Sequence, residues 1–273
     1  MKNNIKLIIL CIILGATFAF TAFFGVSLAL EIRANRQGEE FFAEMPVDFL
    51  PRIAVLPVPI ILDEPTDEPI LEEEPTPKPE PFLPLLDFDE LRESFPSIVG
   101  WIQSEGTIIN YPIVQGRDND FYLRRLPDRT SHIWGSIYMD FRNASDFSDT
   151  NIVIYGHNMR AGGGAKFGTL RYYGSQTYFE NHPSMFIFTP YSNYVLMLFA
   201  GYTLDATREV PPMRFTNEAH FDRFIDDILR RSIFQSDVRP NYGDTIVFLA
   251  TCTDGGSDNE RLIIAGVLHP IAI

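Results

Sequence analysis

The sequence carries two cysteines, Cys11 and Cys252, and five histidines among 273 residues. Cys252 closes the run FLATC, Arg261 stands nine positions later in ERLIIAGVL, and His157 closes NIVIYGH. A thiol, an imidazole and a guanidinium together support acyl transfer. A thiolate attacks a peptide carbonyl, the imidazole gives a proton to the leaving amine and later takes one from the incoming nucleophile, and the cation stabilises the tetrahedral oxyanion. The guanidinium keeps its charge at any physiological pH. Part of this set is local. The loop TDGGSDNE is short enough to close a hairpin, and adjacent strands lie about 4.8 Å apart, so Arg261 can reach a side chain beside Cys252. His157 joins them only if the ends of several strands share one rim. Each residue also has an ordinary reading: a buried small hydrophobe for Cys252, a surface or satisfied histidine, and for Arg261 a rim ion pair with Asp254, Asp258 or Glu260.

Other chemistries find less support. His132, His182, His220 and His269 have no metal-like spacing, and HExxH and CxxC are both missing, which argues against a catalytic zinc. SDNE lacks the ligand pattern of a calcium loop, and the glycines of RAGGGAKFG do not follow the phosphate-binding pattern and read as a flexible connection. No cofactor is expected. A net charge of -14 argues against a nucleic-acid partner.

The elements that must position the three residues are mostly strands. GTIINYPIVQ, GSIYMDF, NIVIYGH, SMFIFTP, NYVLMLFAGYT, DTIVFLATC and ERLIIAGVL are short β-branched or aromatic runs separated by turn residues. They predict a mainly β domain, a closed barrel. Within FTNEAHFDRFIDDILRRSIF, Phe221, Phe224, Ile225 and Leu229 fall on one stripe with charges opposite, predicting a helix of about four turns between two late strands. DFDELRESFPSIVGWI has helical spacing and an acidic first turn, predicting a short N-terminal helix.

Before this domain the chain changes character. Residues 7–30 are 24 positions without a charge, long enough as a helix to cross a hydrocarbon layer of roughly 30 Å. A cleaved signal peptide, with Ser27 and Ala29 near its end, is the competing reading, and the length favours an uncleaved anchor. Lys2 and Lys6 precede the span and favour a cytoplasmic N-terminus, although Arg33 and Arg36 follow it. From Met45 to Leu86 there are eleven prolines, and Asp63 to Glu80 holds eight carboxylates against one lysine, a composition suited to an extended spacer. The expected organisation is a cytoplasmic stretch 1–6, an anchor 7–30, an extracellular linker 31–85, within which PFLPLL could pack on the domain, and a catalytic domain 86–273.

These stretches make the sequence recognisable. WIQSEGTIINYPIVQGRDNDFYL, GSIYMDFRN, NIVIYGHNMR with the later FGTL, and FLATC followed by Arg261 resemble a class B sortase, a membrane-anchored cysteine transpeptidase of Gram-positive cell envelopes. The resemblance runs from about Phe88 to Val267. It implies an eight-stranded β-barrel with an N-terminal helical extension. It also implies Cys252 as nucleophile, His157 as acid/base and Arg261 as oxyanion or substrate-carbonyl donor. Asn119, Leu123, Tyr155 and Thr251 match positions lining the sorting-signal groove of similar enzymes. Ala250 departs from the family pattern, which usually places serine there, and Asp254 reads as loop structure. The implied partners are exported proteins bearing a C-terminal sorting signal and an amine of peptidoglycan or its precursor. A pilin-polymerising ligase, a cysteine hydrolase and a catalytically silent wall-peptide-binding domain remain as alternatives.

Overall fold

The structure, a computed structural model, describes residues 2–44, 86–159, 165–252 and 259–271, with backbone alone for residues 2–12 and Cys252. Four α-helices occur among them: α1 (Lys2–Ala43), α2 (Phe88–Ser94), α3 (Gln176–Asn181) and α4 (Glu218–Arg231). The strands are β1 (Ile98–Gln103), β2 (Asn110–Gln115), β3 (Ile137–Met139), β4 (Asn151–Tyr155), β5 (Asn158–Met159), β6 (Ala165–Lys166), β7 (Ser184–Phe188), β8 (Asn193–Asp205), β9 (Ile246–Cys252) and β10 (Glu260–Ile271). Eight close into a barrel in the order β1-β2-β3-β4-β9-β10-β8-β7, and β5 and β6 form a separate ribbon. The pairs β2 with β3 and β4 with β9 are parallel and the rest of the barrel is antiparallel.

The period-two alternation of the strands builds two apolar layers. On β9, Val247 and Leu249 join Ile102, Ile113, Ile154 and Ile264 in the barrel interior. Ile246, Phe248 and Ala250 face outward and are covered by Phe221, Ile225 and Ile228 of α4. The amphipathic stripe read from the sequence is therefore the face that seals this side of the barrel. Asn217 caps α4 by accepting a hydrogen bond from the His220 amide. As expected, α4 lies between two late strands, β8 and β9.

The helical pattern of DFDELRESFPSIVGWI extends further than the helix. Asp87 caps α2 by accepting from the Asp89 and Glu90 amides, but the helix stops at Ser94 and IVGWIQ is β1. Pro96 is the reason, since its ring disfavours helical backbone at the preceding residue, and Phe95 takes φ -127°, ψ 75°. Of PFLPLL, Leu86 packs with Phe88, Leu91, Phe95 and Trp101, and residues 81–85 lie outside the described residues, as does the proline- and glutamate-rich stretch from Met45.

The uncharged run ends at Leu30, and α1 continues unbroken beyond it to Ala43. The segment 31–43 contains no proline and gains an Arg36–Glu40 ion pair one turn apart, at 2.8 Å. Its last turns dock on the barrel. Phe42 stacks on Trp134 and meets Tyr111 edge-on, Trp134 Nε1 donates to Asn35 Oδ1 at 3.0 Å, and His132 Nε2 lies 3.1 Å from the Ala34 carbonyl. Gly38 lies against the Trp134 ring, where an added Cβ would stand 2.5 Å from Cδ2. Substituting Gly38→Val should therefore push α1 off this face, with a red shift of tryptophan emission and a loss of about 1–3 kcal/mol in unfolding free energy. Unchanged emission and stability in the variant would refute this docking.

Candidate active site

The topology brings together the strand ends that carry the sequence candidates. Because β4 and β9 run parallel, with Tyr155 opposite Ala250, their C-terminal ends reach the same rim. The Gly156 amide continues the ladder by donating to the Ala250 carbonyl at 3.0 Å. Strand β10 enters antiparallel at that rim, and its Arg261 is the direct register partner of Cys252. Residues directly opposite share a face of the sheet, with Cα atoms about 4.5–5.5 Å apart. Arg261 is half-buried and donates from Nη1 to the Glu260 carbonyl. The Cys252 side chain, Asp254 and the rest of residues 253–258, and the glycine-rich residues 160–164 lie outside what the structure describes.

His157 follows β4 by two residues and is half-buried. Gly156 before it has no room for a side chain, since an added Cβ would lie 2.5 Å from Ile137 Cδ1 and 2.6 Å from Phe167 Cδ2. That contact seats the histidine backbone, whose carbonyl accepts from the Phe167 amide at 3.0 Å. His157 Nε2 lies 2.5 Å from the Leu123 carbonyl. A carbonyl only accepts, so Nε2 carries the proton and Nδ1 is the ring nitrogen left for proton exchange. Burial lowers the His157 pKa below the ordinary 6.5, with Lys166 and Arg124 adding to the shift against the Leu123 carbonyl.

The sign of the pH effect follows. The folded chain binds this proton less readily than the unfolded chain, so the histidine's contribution to stability is intact above about pH 6.5 and declines as pH falls through the folded value. His132 is lowered too, chiefly by burial, and its Nδ1 accepts from the Trp134 amide, a bond that protonation would break. An NMR titration should give midpoints below 6.5 for both rings. Normal or raised midpoints would contradict this geometry.

Of the groove candidates, Asn119, Leu123 and Tyr155 are brought together. Leu123 and Tyr155 pack with Val114, Tyr122 and Tyr138, and Tyr155 stacks on Tyr138 at a centroid distance of 5.3 Å. Thr251 is elsewhere on the strand. It is 4% exposed and pairs with Leu262, which belongs to the barrel interior, so by alternation it lies on the opposite face of the sheet from Arg261.

Two residues escaped the sequence reading. Asp140, fully buried, accepts from Asn119 Nδ2 and the Tyr155 hydroxyl at 3.0 Å each, and from the Arg142 side chain at both oxygens, at 2.8 Å. Burial alone would raise its pKa, but the bonds from Arg142, Asn119 and Tyr155 outweigh it and hold the carboxyl at about 2. Burial, and then the same carboxylate, raises the Tyr155 pKa, so the phenol stays a donor. An acid ending a strand with an arginine two positions later, in MDFRN, was the available signal. Lys166 gave no such signal within RAGGGAKFG. It is fully buried, with Nζ 2.9 Å from the centre of the Phe42 ring and 4.7 Å from that of Tyr111, and burial drives its pKa well below the ordinary 10.5.

No family model matches the chain. It is 33% identical over 177 residues to sortase B of Staphylococcus aureus, covering 65% of this chain and 72% of the relative. It is 33% identical over 184 residues to sortase B of Listeria monocytogenes, covering 66% and 74%. Among solved structures, the Staphylococcus aureus sortase B–substrate complex superposes with a TM-score of 0.63 at 31% identity, over 68% of this chain and 85% of that one.

The chain belongs to the sortase B family.

The barrel, the helix between late strands and the N-terminal helix all fit that membership. This sortase is thus a sortase-B-type transpeptidase at the family level. Its one candidate membrane span among the described residues, Ile13–Ala43, is long and apolar enough to cross a bilayer, consistent with a single anchor.

Proposed function

We propose that this sortase cleaves a C-terminal sorting signal of exported proteins through a thioacyl intermediate on Cys252 and passes the acyl group to a cell-wall amine. The Cys252 thiol proton passes to His157 Nδ1 as the sulfur adds to the scissile carbonyl, the carbon–nitrogen bond breaks, and the leaving amine takes that proton from Nδ1. An incoming amine then attacks the thioester, gives its proton back to His157 and releases the thiolate. Arg261 hydrogen-bonds the carbonyl oxygen as it becomes an oxyanion. Asn119, Leu123 and Tyr155 line the approach, with Thr251 beside the nucleophile in sequence. The anchor holds the barrel on the outer side of the membrane, where enzyme, client and lipid-linked acceptor share one surface and gain effective concentration.

The observation that carries this reading is the register. Arg261 stands opposite Cys252, and the strand leading to His157 runs parallel beside the strand of Cys252. A solved Staphylococcus aureus sortase B is described as complexed with MTSET, a thiol-directed reagent, which supports an accessible thiol in the family. The test uses the full chain in detergent micelles with a library of five-residue signals, with and without an added amine. Mass spectrometry should show cleaved acyl groups joined to the amine. Release to water alone would make it a hydrolase, joining to a pilin lysine a polymerising ligase, and binding with no cleavage would end the enzymatic reading.

A further inference from the structure

We propose that Asp140 is a positioning residue of this site, whose carboxylate sets the groove side chains Asn119 and Tyr155 directly and the seat of His157 through Asn119. The proposal rests on the transpeptidase reading above and deepens it.

The geometry forms a continuous chain. Asp140 Oδ2 accepts from Asn119 Nδ2 and Tyr155 OH, each at 3.0 Å. Arg142 closes the other side, giving Nε and its own amide to Oδ1 and Nη2 to Oδ2. Asn119 Oδ1 accepts from the Phe141 amide at 3.0 Å, so both ends of its amide are fixed and its orientation is determined. One of the two Nδ2 hydrogens is committed to Asp140, and the other is the one available to a peptide carbonyl. Tyr155 donates its hydroxyl hydrogen bond to the same carboxylate, leaving the oxygen as an acceptor. Asn119 sits one residue before Asp120, whose carbonyl accepts from the Leu123 amide at 3.2 Å. This turn, Asn119 to Leu123, ends in the carbonyl that holds His157 Nε2. One buried anion therefore fixes the donor geometry of the groove and one wall of the imidazole's seat. A carboxylate without an exposed surface does not touch substrate, so its effect travels through the residues it holds.

Asp140→Asn keeps the shape but offers one acceptor oxygen where two were used and sets N–H groups against the donors. With full-length protein in detergent and a fluorogenic form of the peptide that wild type cleaves fastest, kcat/KM should fall about ten- to a hundredfold, as misplacement by up to about 1 Å does. Circular dichroism checks that the variant is folded. Repeating the substitution in an Asn119→Ala, Tyr155→Phe background separates positioning from general damage, because the loss should then shrink to within about threefold. A folded variant with wild-type kcat/KM, or a loss that adds in full to that background, overturns the proposal. Should the variant not fold, the cycle between Asn119→Ala and Tyr155→Phe decides: a combined loss well below the product of the single losses supports a shared carboxylate, and full multiplicativity overturns it. Wild-type protein that cleaves no peptide overturns both this inference and the transpeptidase reading, whereas wild-type turnover with an indifferent Asp140 removes the inference alone.

Discussion

Cys252→Ala should abolish cleavage of a sorting-signal peptide, lowering kcat by about four orders of magnitude or more while the barrel stays folded. The size of the effect follows from what alanine leaves behind. Without the sulfur no thioester forms, and water attack helped only by Arg261 and His157 is the residual path, typically some five to six orders slower than nucleophile-assisted acyl transfer. Folding should survive, because the barrel closes through β10 and β8 independently of the last residue of β9. Two measurements are needed together: peptide cleavage, and intact-protein mass after incubation with a thiol-directed signal-peptide analogue. Wild type should gain one adduct at Cys252, not at Cys11 in the apolar span, and the variant none. Cleavage retained by a folded Cys252→Ala chain would remove the proposed chemistry altogether.

His157→Ala should cost about a hundred- to ten-thousandfold in kcat/KM, the range expected when a general acid/base is lost. Leaving-amine expulsion suffers most, since a poor leaving group needs a proton as the carbon–nitrogen bond breaks. A thioester substrate analogue, whose leaving thiol needs no protonation, should therefore lose much less. That contrast distinguishes proton transfer from misfolding, which would depress both substrates equally. The lowered His157 pKa adds an independent mark, for the acid limb of the wild-type profile should lie below the ordinary imidazole value and vanish in the variant. Equal losses on both substrates would place His157 in a structural role.

Much of the fold was written locally. Alternating apolar residues along DTIVFLATC and ERLIIAGVL specify strands because neighbours along a strand point to opposite faces, and the stripe Phe221, Ile225 specifies a helix because those residues stand one turn apart. The extent of the helix before β1 was less legible. Its apolar spacing suited a helix well past Ser94, and only the backbone cost at Phe95, imposed by Pro96, ended it. Helix α1 continues past the apolar span for a related reason. Loss of hydrophobicity after Leu30 marks where a membrane ends, not where helical hydrogen bonds do, and docking of Phe42 against Trp134 and Tyr111 keeps the last turns ordered.

Sequence alone determined the chemistry on offer: one thiol outside the apolar span, a guanidinium nine positions beyond it, and an imidazole closing another apolar run. A hairpin is a short-range object, so even the Cys252–Arg261 pairing could be anticipated. The parallel alignment of β4 with β9 was decided by tertiary structure, because parallel neighbours are joined by long crossovers and carry no local mark of their partner. So was the burial of Asp140 beneath Asn119 and Tyr155. A charge is placed in an interior only when donors from distant segments converge on it, and that convergence exists only once the barrel has closed.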